Sequence, residues 1–256
     1  MNRNPITLTL GLAAATVVGV GQIPLSSLTS GFYTQNFDTL SASGTGISWT
    51  DNSTLSGWYL SRLTYDTGTG SSSTGAAYSF GLAGSPDRAL GSVASGPTGQ
   101  IMYGLRFRND TTGAYTGFNI DYTGEQWRRA NNASTHSLQF SYKISASPIT
   151  SLVGADFSLV TQLDFIGPVA GATTASPLNG NLAANQDDLF FGLTFGQTLD
   201  PGEEIMFRWI DVDDSNADHG LAIDNLSIEV PEVSAFLPAL LATGAGALWA
   251  MRRRSK

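Results

Sequence analysis

Apolar and polar residues alternate with a period of two through the middle of this chain, and that pattern limits what it can fold into. Tyr103, Leu105 and Phe107 form one series, Phe118, Ile120 and Tyr122 a second, and Leu138, Phe140, Tyr142 and Ile144 a third. Successive side chains of a strand point to opposite faces, so each series marks the buried face of one strand. Further strands are predicted over 157–165, 189–195, 205–210 and 221–230, where apolar runs are separated by Gly, Pro, Asn and Asp. Hardly any segment of the body carries the 3.6-residue stripe of an amphipathic helix. The expected fold is all-β: two antiparallel sheets packed face to face, a jelly roll or a related sandwich. No linker or charge run divides residues 31–230, and a sandwich of roughly 200 residues commonly forms a single domain.

Composition narrows the chemistry. Only 13% of residues are charged, 21 acidic against 13 basic, for a formal charge of -8. Capture of nucleic acid needs Lys and Arg clustered on one face, so that partner is not expected. With no cysteine, disulfides, thiolate nucleophiles and thiolate metal sites are all excluded. The stretch 66–75 (DTGTGSSSTG) reads as a mobile surface loop. It lacks the Lys of a phosphate-cradling loop, and no helix pattern follows.

Both ends point to export. Arg3 precedes an apolar run from Ile6 to Val20 that ends in small residues at 19–21, the layout of a signal peptide, assigned to residues 1–25. A buried first helix or a retained anchor is the alternative. At the other end, Val230-Pro231-Glu232-Val233-Ser234 precedes an apolar span, 235–251, and then Arg252, Arg253, Arg254 and Lys256. As a transmembrane helix that span covers about 26 Å, slightly short of the ~30 Å hydrocarbon core. Snorkelling arginines make up the difference. The positive-inside rule keeps the basic cluster in the cytoplasm and places the body beyond the inner membrane. A soluble core helix would leave three adjacent arginines without a role.

This three-part layout over 231–256 resembles the PEP-CTERM sorting signal of Gram-negative bacteria. The resemblance implies recognition by an exosortase at the inner membrane, cleavage near the motif, and release to the envelope or an extracellular polysaccharide matrix. The family usually has Val-Pro-Glu-Pro-Ser, and Val233 departs from it. Within the body, TGAAYSFGLAGSPDRALGS (74–92), YTGEQWR (122–128) and RWIDVDDSNADHGLAIDNLSI (208–228) are similar to exported β-sandwich domains that often carry such tails. Some of these are fused to extracellular nucleases.

Candidate sites are few. Asp211, Asp213, Asp214, Asp218, His219 and Asp224 crowd one region, and calcium, with six to eight oxygen ligands, would relieve their repulsion. The expected calcium set is Asp211, Asp213, Asp218 and Asp224, with Asp38 of the NFDTL segment contributing from the first strand. It is not an EF-hand, since the pattern breaks at Ser215 and Ala222. The alternative is an Asp-rich turn that satisfies its own amides. Arg88 and Glu125 are expected to form an internal ion pair; the other reading makes Glu125 a glycosidase carboxylate paired with an Asp. His136 and His219 are the only histidines, and neither G-x-S-x-G nor H-E-x-x-H occurs. No catalytic residue is assigned. Trp49, Trp58 and Tyr59 lie in a polar stretch, SWTDNSTLSGWYL, and are expected to be partly exposed for stacking on sugar rings; burial in the core is the alternative. The resulting expectation is a non-enzymatic exported envelope or matrix protein in contact with polysaccharide. A secreted polysaccharide-acting hydrolase and an accessory domain to an extracellular nuclease are the competing readings.

Overall fold

The alternating series become the long central strands of two stacked sheets. A computed structural model describes residues 22–170 and 174–231. Its strands are β1 (Ile23–Pro24), β2 (Phe32–Gln35), β3 (Ile47–Ser48), β4 (Trp58–Leu60), β5 (Thr64–Gly68) and β6 (Ala76–Phe80). There follow β7 (Ala89–Val93), β8 (Ile101–Arg108), β9 (Tyr115–Arg129), β10 (Ser137–Ser145) and β11 (Ser158–Leu159). The last are β12 (Phe165–Ile166), β13 (Ser176–Pro177), β14 (Gln186–Leu199), β15 (Glu204–Asp211) and β16 (Gly220–Glu229). Two short 3-10 turns, Leu25–Ser27 and Thr161–Leu163, are the helical elements among the described residues.

One sheet has the order β1-β8-β15-β10-β11, with β4 beside β8 and β12 beside β10. The other has the order β13-β9-β16-β7-β6-β5-β3, with β14 beside β9 and β2 beside β16. Pairing is antiparallel except for β1 with β8 and β5 with β6. The expected all-β sandwich of two sheets is what the chain forms. The signal helix and the membrane helix fall outside the described residues. Among those residues, no helix is long and apolar enough to cross a membrane.

Aromatic side chains fill the space between the sheets. Trp209 of β15 stacks on Trp58 of β4 at 5.7 Å and meets Tyr122 of the opposite sheet edge-on at 5.8 Å. Phe118, Ile120 and Tyr122 point inward from β9, and Tyr103, Leu105 and Phe107 from β8, all buried. Two smaller clusters form where loops fold over the backs of the sheets. Tyr59, Met102, Ile149, Leu152, Phe157 and Met206 form one, and Tyr78, Phe80, Ala89, Val93, Trp127 and Ala222 the other.

Several sequence boundaries shift. Residues 157–165 do not form one strand: β11 and β12 cover the β10 edge separately, and the 3-10 turn lies between them. At the break, Asp164 Oδ1 accepts the Phe140 N–H at 2.7 Å in place of a ladder bond. The stretch 66–75 is anchored rather than free: its first residues belong to β5, and the carbonyls of Gly70 and Ser71 accept from Arg128 Nη1. The domain starts before residue 31, since Ile23 and Pro24 pair with β8 and Leu25 is buried. That places the end of the predicted 1–25 segment inside the fold. Strands β2 to β7 carry no clear alternation. β7, ALGSV, is buried on both faces, and a Cβ at Gly91 would collide with the carbonyl of Leu221. Small residues are needed there, and they leave no periodic signal.

Candidate functional site

With loops covering much of both outer surfaces, four adjacent strands, β2-β16-β9-β14, retain an open face. The register sets two rows across it. Phe32 pairs with Glu229, Glu229 with Asn119, and Asn119 with Gly192. In the next row Thr34 pairs with Ser227, Ser227 with Asp121, and Asp121 with Phe190. The alternate residues Ile228, Ile120 and Leu193 turn into the core, so strand alternation directs these two rows to solvent.

Phe190 is 67% exposed and Phe32 47% exposed, standing on the outer strands of the four. Three strand spacings of about 4.8 Å separate those strands by about 14 Å. Phe32, Asn119, Asp121, Phe190, Ser227 and Glu229 line a shallow hollow of about 310 Å³. Asn119 Nδ2 donates to Glu229 Oε2 at 2.7 Å, which fixes that carboxylate. Apolar rims with acceptors and donors between them suit a ligand with flat C–H faces and hydroxyl edges. The aromatic planes take the former, and the carboxylates and amide take the latter.

The aromatic residues expected to carry such contact do not. Trp49 is 4% exposed, Trp58 is fully buried, and Tyr59 is 8% exposed beneath the Arg106 guanidinium. The polar residues around them close a turn: Asp51 Oδ1 accepts from Trp49 Nε1 and from the Leu60 N–H, and Asn52 Oδ1 from the Gly57 N–H. Polarity in this stretch serves the backbone, and the aromatic rings face inward.

Arg88 and Glu125 are both buried but do not pair. Arg88 donates to Ser79 Oγ, to the Ser79 carbonyl and to the Leu82 carbonyl, while Glu125 Oε2 accepts from Trp127 Nε1 at 2.7 Å. Each group found neutral partners closer in its own sheet. Burial pushes the Glu125 carboxyl up to about 7.

The five expected calcium ligands separate into two neighbourhoods. Asp211 is buried and accepts from Ser92 Oγ and the Ala94 N–H through one oxygen, tying β15 to β7. Asp218 is buried beside Asp214, and Asp213 is exposed. Asp224 lies elsewhere, six residues into extended chain from Asp218, up to about 20 Å away. The negative groups around it are Glu125, Asp87 and Asp38. Burial, followed by those charges, pushes its carboxyl up to about 8. Its Oδ1 is buried without a hydrogen-bond partner. Asp38 accepts from the Arg88 N–H and from Asn36 Nδ2.

Of the sorting motif, Val230 is buried, its N–H bonded to the Gly31 carbonyl, and Pro231 follows as the last described residue. Glu232, Val233, Ser234, Arg252, Arg253, Arg254 and Lys256 lie outside the described residues.

Sequence reasoning missed the open face. Its signal was the residue out of phase: in DDLFFGLTF, Leu189, Phe191, Leu193 and Phe195 occupy the inward positions, which forces Phe190 outward. Fold and face together define a two-sheet β-sandwich with one solvent-open sheet surface equipped for hydrogen bonding and stacking. No protein-family model and no curated protein matches the chain. The solved structures it resembles include carbohydrate-binding and adhesin domains. TmCBM61 in complex with β-1,4-galactotriose is 8% identical, with a TM-score of 0.32 over 68% of this chain and 88% of that one. The K2 cleaved adhesin domain of Lys-gingipain is 12% identical, with a TM-score of 0.38 over 78% and 98%. A xylan-binding domain from CBM 22 is 9% identical, with a TM-score of 0.32 over 73% and 93%.

Proposed function

We propose that this is an exported, non-enzymatic protein of the envelope or extracellular matrix that contacts polysaccharide through the β2-β16-β9-β14 face. The observation that carries the reading is the pair of exposed phenylalanines, Phe32 and Phe190, bracketing Asn119, Asp121, Ser227 and Glu229. The carboxylates of Asp121 and Glu229 make the face repel uronate or sulfate groups, so neutral or amino sugars are the preferred ligand class. Delivery is by the C-terminal sorting signal, with exosortase and the inner membrane as transient partners.

Affinity electrophoresis through neutral and uronate-rich polysaccharide gels tests the site. Phe190→Ala and Phe32→Ala each remove one stacking partner, about 1 kcal/mol or roughly fivefold in affinity. Retention by neutral glycan should fall accordingly while the folded signal in near-UV circular dichroism is unchanged. Equal retention of wild type and the double variant would refute the assignment. Asp121 and Glu229 share the hollow as diagonal neighbours, which favours glycoside hydrolysis as the second reading. Release of new reducing ends from the retained glycan would establish it in place of simple binding.

A further inference from the structure

Two loops at one end of the sandwich, 130–136 between β9 and β10 and 212–219 between β15 and β16, bring together groups that the open face does not use. His136 Nδ1 lies 3.4 Å from Asp214 Oδ2 and 3.6 Å from Asp218 Oδ1. One ligand atom from each residue lies within 4.8 Å of the other two, and among the described residues no second trio of such side chains converges this way. His136 and Asp218 are each 3% exposed, while the Asp214 side chain opens to solvent.

Hydrogen bonds satisfy only part of the trio: Asp218 Oδ1 accepts the Asp214 N–H at 2.9 Å. The Oδ2 atom of Asp218 is buried with no hydrogen-bond partner, a costly state for a carboxylate oxygen. His136 Nδ1 also receives the His219 N–H at 3.3 Å. Whether it carries a proton or a lone pair, Nδ1 cannot serve the His219 N–H and two carboxylates together. One ring nitrogen and two carboxylates, one with an unpartnered oxygen, therefore converge on one point, an arrangement that a cation resolves in place of the long His219 N–H contact.

The surroundings hold these groups in place. Asn132 Nδ2 donates to the Ser215 and Ala217 carbonyls, clamping one loop to the other, and lies 3.0 Å from His136 Nε2. Asn132 Oδ1 accepts the Ser134 N–H. The second histidine is fully engaged: His219 Nδ1 accepts the Ala130 N–H, and its Nε2 meets the Ser134 carbonyl.

We propose that His136, Asp214 and Asp218 form a binding site for one divalent transition cation, with zinc as the type ion. Zinc bonds of about 2.0–2.1 Å in a tetrahedron place ligand atoms about 3.3 Å apart, close to the two distances observed. An imidazole with two carboxylates is a poor match for calcium, which takes six to eight oxygens, and suits zinc with its mixed N and O ligands. The exposed side of Asp214 leaves the fourth position to water. The ion would pin the β15–β16 connection to the β9–β10 connection.

The test uses the untagged full chain, stripped with chelator and titrated with zinc chloride in isothermal calorimetry, with bound metal counted after dialysis. Background is low because the sequence holds no cysteine and no histidine besides these two. One zinc per chain and a raised melting temperature are expected, with calcium at equal concentration failing to compete. Asp214→Asn, partly exposed and therefore tolerated by the fold, should weaken zinc binding at least tenfold. His136→Gln should abolish it. If His136→Gln does not fold, the wild-type His136 ring is followed instead by 15N NMR, and its Nδ1 resonance must shift on zinc addition. Zinc binding unchanged by Asp214→Asn, a static Nδ1 resonance, or no uptake at 0.1 mM zinc, about the weakest specific affinity of interest, would overturn the site. None of these results touches the polysaccharide-binding face, which rests on other residues.

Discussion

Replacing Glu125 by Gln should stabilise this protein at alkaline pH, against the usual expectation for a buried residue. Glu125 is 3% exposed, with Trp127 Nε1 as its hydrogen-bond donor, and burial holds its carboxyl at about 7 rather than 4.5. Below pH 4.5 the group is protonated whether the chain is folded or not, and it has no effect on the balance. Between 4.5 and 7 the unfolded chain ionises first, so stability falls as pH rises, and above 7 the full penalty is present. At about 1.4 kcal/mol for each tenfold change, the gap from 4.5 to about 7 amounts to about 3 kcal/mol at most. Gln keeps an oxygen for Trp127 and carries no charge. Urea unfolding of both proteins at pH 4.5 and pH 8, with chelator present, measures the difference. The variant should match wild type at pH 4.5 and exceed it by up to about 3 kcal/mol at pH 8. A variant less stable than wild type at pH 8 would mean that Glu125 is ionised and paired in the native state, and the reasoning from burial would fail.

One further outcome follows from the proposed sorting signal. Mass measurement of the protein recovered from fractionated cells of a producing host should show both ends trimmed, near residue 21 and near Pro231; an intact chain in the cytosol would refute export.

The central strands were legible because their core-facing positions carry large apolar side chains at every second residue: Tyr103, Leu105 and Phe107 of β8 alternate with Met102, Gly104 and Arg106, although β8 and β15 are buried on both faces. β14 is the clearest case, and it also exposed Phe190 by default. β6 and β7 were not legible, because Tyr78, Phe80, Ala89 and Val93 pack into a cluster on the back of their sheet while Ala77 and Leu90 face the main core in front. A strand whose two buried faces carry residues of similar size and polarity has no period to detect. The candidate sites show the same limit. Trp49, Trp58 and Tyr59 appeared exposed because their sequence neighbours are polar, yet those neighbours bond the turn. Arg88 and Glu125 were paired by opposite charge, although carbonyl, hydroxyl and indole groups lay closer.

Sequence alone determined the all-β class, the separation of an acidic body from apolar ends, and the residue types available for chemistry, since these depend on periodicity and composition read along one chain. Tertiary structure decided which residues meet. The register of β2, β16, β9 and β14 placed Phe32 and Phe190 around one acidic hollow, and two loops carried His136 to Asp214 and Asp218. It also sent Asp224 away from the other aspartates it follows in sequence. Extended chain advances about 3.3 Å per residue, so neighbours in sequence part quickly along a strand, and groups far apart in sequence meet only when pairing and loop closure bring them together.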